Sequence, residues 1–289
     1  ARELNKEGYY SAFFHGAENG SMGFQAFART TGFQDYFGRT EYNQDKRFKG
    51  DEDFDGTWAI WDEPFMQYYA LTMGEFKEPF VSAIFTASSH HPYTIPEAYK
   101  DIYPEEELVI HKCVRYTDHA LKRFFETASQ QPWFENTLFV LTADHTNLSA
   151  VSEYQTSLGI FSVPIVFFDP SGEMSRGTRE GIAQQIDIMP TILGYLGYEK
   201  PYVAFGCDLF HTAAEDTWVV NYLNGIYQYV KGDYLIQFDG KDVKGVYRFK
   251  EDKLLNNNLV NQFDCTKWVD ELKAIIQSRS EERRVGKEC

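Results

Sequence analysis

The sequence predicts an α/β protein with a mostly parallel sheet, followed by a small antiparallel meander. Up to about residue 200, short β-branched and aromatic runs alternate with segments whose apolar residues recur at helical spacing, which is typical of layered α/β domains. From residue 217 onward, short runs are separated by Gly, Asp and Lys, a pattern that favours antiparallel hairpins. We therefore expect an α/β body over residues 1–212 and an antiparallel subdomain with a terminal helix over residues 213–279.

The α/β body is expected to contain strands at residues 9–14, 80–87, 137–142 and 163–168. Helices are expected before Gly8, from residue 24 to Gly32, from residue 63 to Gly74, over 105–129 and over 183–196. Pro190 should end or kink the first half of the last of these helices. Residues 35–64 mix acidic and aromatic residues and are expected to form a long surface excursion.

The meander is expected to use the runs at residues 218–220, 225–230, 233–238 and 245–249. A terminal helix is indicated by Trp268, Leu272 and Ile275. Residues 280–289 lose that apolar period and resemble translated adaptor read-through, so we expect a non-native tail there. The chain also begins in what looks like the last turns of a helix, so it is expected to be a fragment.

Composition narrows the class of protein. Aromatic residues make up 17% of the 289 residues, which indicates a packed globular body. A formal net charge of −15 argues against a nucleic-acid partner, because phosphate binding needs clusters of basic residues. No apolar run approaches the ~20 residues needed to span a bilayer. The four cysteines show no metal-binding spacing and are expected to be buried thiols.

The junction at the end of the third strand carries the strongest functional signal. Asp144 and His145 follow the strand directly, and ligands of open α/β sheets bind beyond the carboxyl ends of strands. An Asp oxygen and a neutral His nitrogen both bind divalent cations, so the pair is half of a metal site. The alternative is an Asp that caps the following turn and a His that only packs. The dipeptide alone does not decide between them.

Histidines also follow the first two strands. His15 comes at the end of the first strand, and His90 and His91 come after the second. Together with His145, four of the seven histidines therefore lie at strand ends. This convergence indicates a site at one edge of the sheet, with Asp144, His145 and His90 around a common pocket.

Several motifs in a fixed order carry a family resemblance. The main ones are Thr-Ala-Asp-His at 142–145, Ser-His-His-Pro-Tyr at 89–93 and the segment 185–193, with further matches at 14–16, 61–63, 116–118 and 205–210. Over residues 8–212 they resemble the C-terminal two-thirds of a sulfatase-type member of the alkaline phosphatase superfamily. The closer likeness is to the lipoteichoic acid synthase and phosphoglycerol transferase branch. The resemblance implies a three-layer α/β/α fold.

The resemblance also implies a divalent cation, Mn²⁺ foremost, with Zn²⁺ or Mg²⁺ as alternatives. Asp144 and His145 would hold it together with an acidic residue and a threonine nucleophile. His90 would contact the substrate phosphate or the leaving group, and His15 would line the substrate site. The chemistry is physically coherent, because a cation lowers the pKa of a nucleophile and neutralises ester oxygens while an imidazole donates a proton.

Two further residues are expected to support this site rather than to react. His91 is expected to be structural, because Pro92 fixes its backbone as extended. Asp118 is expected to serve helix packing or capping, or to support a ligating side chain through a hydrogen bond.

The chain departs from the family pattern at two places. The acidic ligand and the threonine nucleophile of the family lie upstream of the matched part, and no replacement is found, so only half of the ligand set is expected here. The synthases also carry a Trp and an Arg shortly after the His-Gly, whereas residues 19–24 contain neither. Glycerol phosphate is therefore not implied as substrate, and another phospho- or sulfo-ester, lipid- or glycan-linked, is open.

We therefore expect an incomplete fragment of a metal-dependent hydrolase or phosphotransferase, inactive alone. The full-length enzyme would lie at the extracytoplasmic face of the cytoplasmic membrane, held by an anchor outside this chain. One alternative is a non-catalytic relative that binds a glycan or lipid headgroup. It is suggested by Met22 and Phe24, which lie in the segment 19–24 that departs from the family pattern, and by exposed aromatic loops around Trp58 and Trp61. Another is a stable α/β domain with unrelated histidines.

Overall fold

The computed structural model describes the backbone of residues 1–285 and the side chains of residues 1–279. The chain divides into two compact units. The first consists of Ala1–Leu138 and Asp169–Glu173, and the second of Phe139–Phe168 and the chain from Met174 onward. For the expected non-native tail, residues 280–289, the side chains and the last four backbone positions lie outside the described part.

The first unit is built on a parallel sheet. β1 (Tyr10–His15) lies between β2 (Asp35–Phe37) and β3 (Phe80–Phe85), and both neighbours run parallel to it. His15 is paired with Phe85, so the carboxyl ends of β1 and β3 lie side by side. The parallel sheet and the convergence of these two strand ends are as the sequence predicts.

Helices cover both faces of β1. The helices of this unit are α1 (Arg2–Asn5), α2 (Phe24–Thr30), α3 (Arg39–Gln44), α4 (Asp62–Met73) and α5 (Ile110–Ala128). Phe14 packs against Tyr69 of α4 with ring centroids 4.8 Å apart, while Phe13 packs against Phe24 of α2 at 6.4 Å. Successive strand side chains point to opposite faces. The unit therefore has the expected α/β/α layering.

The predicted surface excursion at residues 35–64 is wrong over its first part. This segment contains β2 and α3, and Tyr36 and Tyr42 are buried. The Tyr42 hydroxyl donates a hydrogen bond of 2.6 Å to Asp53. Tyr36 and Tyr42 thus face inward, while many carboxylates of the segment stay at the surface. The apolar residues of this segment show neither helical nor strand spacing, so the sequence does not reveal its structure.

The second unit contains two antiparallel sheets. β4 (Phe139–Thr142) pairs antiparallel with β5 (Ile165–Phe168), and these are the predicted third and fourth strands. The predicted meander is confirmed. It consists, in spatial as in chain order, of β6 (Trp218–Leu223), β7 (Ile226–Lys231), β8 (Tyr234–Phe238) and β9 (Val243–Tyr247).

The meander and the terminal helix α7 (Thr266–Val285) share one core. Tyr229, Ile236 and Val246 are buried together with Leu272 of this helix. The β6–β7 hairpin turns at Asn224 and Gly225, whose φ angles of 49° and 86° are those of a type I′ turn. The helix thereby buries the apolar face of the sheet, and such packing stabilises a small antiparallel sheet.

The predicted helix over residues 183–196 begins later than expected. A 3₁₀ turn at Gln185–Asp187 precedes α6 (Ile188–Tyr195). Pro190 therefore lies in the first turn of α6, where backbone N–H groups have no intrahelical partner, and the helix is not interrupted. Among the described residues, no helix is both long enough and apolar enough to cross a membrane.

Candidate functional site

The histidines at the predicted site share one hydrogen-bonding arrangement. In each, Nδ1 lies within hydrogen-bond distance of a backbone carbonyl oxygen: His15 with Phe85 at 2.9 Å, His90 with His91 at 3.0 Å, and His145 with Thr146 at 2.7 Å. A carbonyl only accepts, so Nδ1 must carry the hydrogen. In the neutral ring Nε2 then has a free lone pair, available to bind a cation or to take a proton.

Asp144 and His145 form a close, accessible pair in the second unit. Asp144 Oδ2 lies 3.3 Å from His145 Nε2, and the side chains are 51% and 68% exposed. Asp144 Oδ1 accepts a hydrogen bond of 2.8 Å from the backbone N–H of His145. One Asp144 oxygen thus binds the neighbouring backbone, while Oδ2 and the exposed imidazole of His145 stay accessible.

The donor atoms of this pair suit a divalent cation. Ligand bonds of about 2.1 Å at tetrahedral angles would separate two donor atoms by about 3.4 Å, close to the spacing between Oδ2 and Nε2. The Nδ1–H of His145 is already bound to a carbonyl, which is how proteins orient ligating imidazoles. Among the described residues, no group of three or more His, Cys, Asp or Glu side chains could hold a metal ion.

The segment around Gln185 holds the loop that carries Asp144. Gln185 Nε2 donates hydrogen bonds to the carbonyl oxygens of Ala143 at 2.6 Å and Asp144 at 2.9 Å. The neighbouring Asp187 is buried and accepts hydrogen bonds from the backbone N–H groups of Gln184 and Cys207. Burial raises the pKa of the Asp187 carboxyl, although these two hydrogen bonds act against that shift.

A broad open cleft of about 1080 Å³ adjoins the pair within the second unit. Asp144 and His145 line it together with residues 219–222 of β6, Lys250 and Lys253. The lining combines amide, hydroxyl, apolar and charged groups. The meander therefore contributes a wall next to the candidate metal ligands, and does not only complete a core.

His15 and His90 lie in the first unit and differ in exposure. His15 is 5% exposed, and its ring packs against Phe24 and Phe85 with centroids 4.3 and 5.3 Å away. Burial lowers the pKa of His15, opposed by its hydrogen bond to Phe85 and by the charge of Asp62. His15 is thus largely buried beneath two aromatic rings, whereas His90 is exposed in the loop after β3.

The His91 carbonyl oxygen is shared by two donors. It accepts hydrogen bonds from His90 Nδ1 at 3.0 Å and from Trp58 Nε1 at 2.6 Å. The Trp58 ring lies edge-on to the His90 ring with centroids 4.6 Å apart. The His91 backbone thus links the rings of His90 and Trp58.

Asp62 is the buried acid of the first unit. It is 2% exposed, and its carboxylate accepts hydrogen bonds from the backbone N–H groups of Ala87 and Ser88 and from the Thr117 hydroxyl. Burial raises the pKa of Asp62, while these hydrogen bonds oppose the shift. Asp118, the neighbour expected to give support, is exposed on α5.

A family model described as Sulfatase matches residues 1–198 of this chain. The chain belongs to the sulfatase family. The predicted placement within the alkaline phosphatase superfamily, on the side of the lipoteichoic acid synthases, is confirmed. The family membership supports the functional interpretation of the strand-end residues but does not test the role of any one of them.

Relatives and solved structures agree with this placement. Lipoteichoic acid synthase 1 of Bacillus subtilis is 25% identical over 283 residues, covering 90% of this chain and 42% of the relative. The structure of a lipoteichoic acid synthase from Listeria monocytogenes has a TM-score of 0.79 at 21% identity, over 97% of this chain and 71% of that one. An alkaline phosphatase superfamily protein from Vibrio parahaemolyticus has a TM-score of 0.71 at 25% identity, over 84% and 58%.

This sulfatase-family chain spans less than half the length of the curated relatives it matches. Members of the superfamily generally use a divalent metal. The candidate ligands and His90 could be identified from the sequence, whereas the contacts by which Asp62, Thr117, Trp58 and Gln185 hold these loops could not. Three of these, Asp62, Thr117 and Gln185, lie inside the motifs that carry the family resemblance, and only their tertiary contacts reveal what they hold.

Proposed function

We propose that this chain is part of a metal-dependent enzyme that hydrolyses or transfers a phosphate or sulfate ester. The observation that carries the proposal is the accessible Asp144–His145 pair, whose donor atoms lie 3.3 Å apart with the imidazole fixed in its Nδ1–H form. Membership of the sulfatase family supports the same chemistry. The remaining acidic ligand and the hydroxyl nucleophile would come from sequence outside this chain.

Asp144 and His145 would hold one divalent cation, with Mn²⁺ the first candidate and Zn²⁺ or Mg²⁺ the alternatives. When bound, such a cation lowers the pKa of a hydroxyl nucleophile and offsets the negative charge of the ester oxygens. Gln185 would keep the Asp144 backbone in place through its two hydrogen bonds. The carboxylate then needs little reorganisation when it ligates.

His90 would act as the general base and the general acid of the reaction. In its neutral form, Nε2 takes a proton from the attacking water or acceptor alcohol. In its protonated form, the same atom donates a proton or hydrogen bond to the leaving group. The carbonyl of His91 accepts from Nδ1 in both forms, so the ring does not need to turn between the two steps. His15 would shape the wall beside this group.

The substrate would be a phospho- or sulfo-ester with a sizeable attached group, lipid- or glycan-linked. The open cleft of about 1080 Å³ beside Asp144 and His145 has room for such a group. By family likeness the whole protein would work at the extracytoplasmic face of the cytoplasmic membrane. No nucleic-acid partner is proposed.

Metal-dependent stability tests this proposal directly. Mn²⁺ should raise the melting temperature of the chain, because a ligand that binds only the folded state adds about 2.7 kcal/mol at a concentration 100 times its Kd. Asp144→Ala and His145→Ala should each abolish most of that rise. Differential scanning calorimetry across Mn²⁺, Zn²⁺ and Mg²⁺ gives the measurement and the metal preference.

His211→Ala is the matched control for that experiment. His211 is another exposed histidine of the second unit, and its Nδ1 lies 2.7 Å from Asp208 Oδ2. Its removal should leave the metal-dependent rise intact. Equal metal responses in all variants, or none in the wild type, would favour an α/β domain with unrelated histidines. We expect no turnover of a chromogenic ester by this chain alone, and robust turnover would contradict the assignment of the nucleophile to outside sequence.

The alternative of a non-catalytic binding relative is less well supported. Its motivation included exposed aromatic loops, but Trp58 and Trp61 are both half-buried. Trp61 packs edge-on against the buried Tyr116, with ring centroids 5.9 Å apart. Trp58 contacts both His90 and His91. Trp58 thus packs on the His90 loop and Trp61 packs inside the unit, so neither indole supports a separate exposed binding platform.

A further inference from the structure

We propose that Asp62 and Thr117 are positioning residues that hold the loop of residues 87–90 and thereby fix the place of the His90 imidazole. The proposal rests on the proposed function only for what His90 does, not for how it is held. Its basis is a buried hydrogen-bond network that joins the start of α4, the middle of α5 and the loop after β3.

Asp62 binds this loop from both its backbone and its side chain. Its carboxylate Oδ1 accepts from Ala87 N–H at 2.9 Å and from Ser88 N–H at 3.1 Å. Its own backbone N–H donates to the buried Ser88 hydroxyl at 3.0 Å. Three hydrogen bonds on two consecutive residues fix the path of the chain immediately before the turn into His90.

Thr117 extends the network to the next residue of the loop. Its hydroxyl donates to Asp62 Oδ2 at 3.0 Å and lies 2.9 Å from the Ser89 hydroxyl. A hydroxyl has one hydrogen to donate, so Ser89 must be the donor to Thr117. The bonds therefore run in one direction, from Ser89 through Thr117 to the carboxylate.

His90 is joined directly to the residues so held. Its backbone N–H donates to the Ala87 carbonyl at 3.1 Å, which closes the turn. On the far side, the His91 carbonyl accepts from the ring of His90 and from Trp58. The ring is thus held from both sides of the loop, although the side chain itself is exposed.

Burying a carboxylate costs free energy, so such a network is expected where the position of a side chain affects a reaction. A buried carboxylate loses its hydrogen bonds to water. Around Asp62 these are replaced by donors that all belong to the His90 loop or to Thr117. A misplacement of about 1 Å near a reaction centre can lower a rate by about 100-fold. The burial of the Asp62 carboxyl is therefore explained if the position of the exposed His90 imidazole affects the reaction rate.

Imidazole NMR of the ¹⁵N-labelled chain tests the proposal without metal or substrate. Above the pH range in which imidazoles titrate, wild-type His90 should show the Nδ1–H tautomer pattern. Thr117→Val should move the His90 nitrogen shifts by several linewidths towards those of a mobile ring with mixed tautomers. Thr117→Ser should restore the wild-type pattern, because it keeps the hydroxyl.

Thr127→Val is the matched control, since Thr127 also lies on α5 and donates to a side chain of α4, Gln67, at 2.5 Å. It should leave the His90 signals unchanged. Unchanged signals in folded Thr117→Val would overturn the proposal, as would an equal change in Thr127→Val. If Thr117→Val does not fold, Ser89→Ala decides in the same way. Metal binding through Asp144 and His145 can succeed or fail independently of this result.

Discussion

At the scale of single residues, the proposed chemistry depends on which imidazole nitrogen is free. His15, His90 and His145 each bind a backbone carbonyl through Nδ1, so the protein sets the tautomer with main-chain atoms. Carbonyl oxygens keep their acceptor character at every pH at which the protein is folded. Nε2 is therefore the ring nitrogen that does not bind a carbonyl, and in the proposed chemistry it is the atom through which His90 and His145 would act.

Acid should destabilise the chain in part through His15. Burial lowers its pKa, so between the ordinary value of 6.5 and the lower folded value the unfolded state binds more protons. Stability should fall as pH drops through this window, by at most about 1.4 kcal/mol per pH unit for one group. In urea titrations across the window, His15→Gln should lose less stability than the wild type. If the unfolding free energies of the two proteins change equally with pH, protonation of His15 does not contribute to the loss of stability.

Residue roles are predictable from the sequence where they depend on position along a strand. Asp144, His145 and His90 follow predicted strands, so their location at strand ends can be inferred from chain order alone. The roles of Asp62 and Thr117 cannot, because their hydrogen bonds join residues 25 to 55 positions apart. Burial of a carboxylate is a tertiary property, and an Asp before a helix is most often a cap.

At the scale of elements, one glycine links two motifs of the second unit. A Cβ at Gly206 would lie 2.3 Å from the Ile186 carbonyl oxygen and 2.6 Å from Asp187 Oδ1. Gly206→Ala should therefore push the 3₁₀ turn away and cost about 1–3 kcal/mol of unfolding free energy. Because Gln185 lies in that turn and holds the Asp144 backbone, the same variant should weaken metal-dependent stabilisation.

Gly181→Ala provides the comparison for that variant. A Cβ there would meet its nearest neighbour, Thr217 Oγ1, at 3.4 Å, which is an ordinary contact. Urea unfolding should show a near-neutral effect for Gly181→Ala and a clear loss for Gly206→Ala. Equal stability of the two variants would mean that the 185–187 turn adjusts freely.

Most elements are predictable because their patterns are strong. The meander combines short β-rich runs with an Asn-Gly turn, and the long α5 has apolar residues at helical spacing, so the sequence indicates both. β2 escapes prediction because Asp35–Phe37 is too short to show alternation and stands in an acidic context. The predicted helix start at residue 183 and the predicted break at Pro190 are both wrong, because Pro190 lies in the first turn of α6, where a proline is tolerated.

At the scale of the whole molecule, the formal net charge of −15 opposes compaction. Raising the salt concentration from about 0.01 M to about 0.15 M shortens the Debye length from about 30 Å to about 8 Å. The melting temperature should therefore rise over this range. An uncharged solute at the same osmolality is the control, and a flat or falling melting temperature in salt would show that local ion pairs outweigh the net repulsion.

The division into two units also has a practical consequence. Residues 169–173 belong to the first unit, whereas the chain on both sides of them belongs to the second. No single cut can therefore separate the two. A recombinant piece starting at Phe139 would contain residues 169–173 without the rest of the first unit, with which they pack. A piece ending at Leu138 would lack these five residues. Independent expression of either half calls for a bridging linker across that stretch, or for a gene with reordered segments.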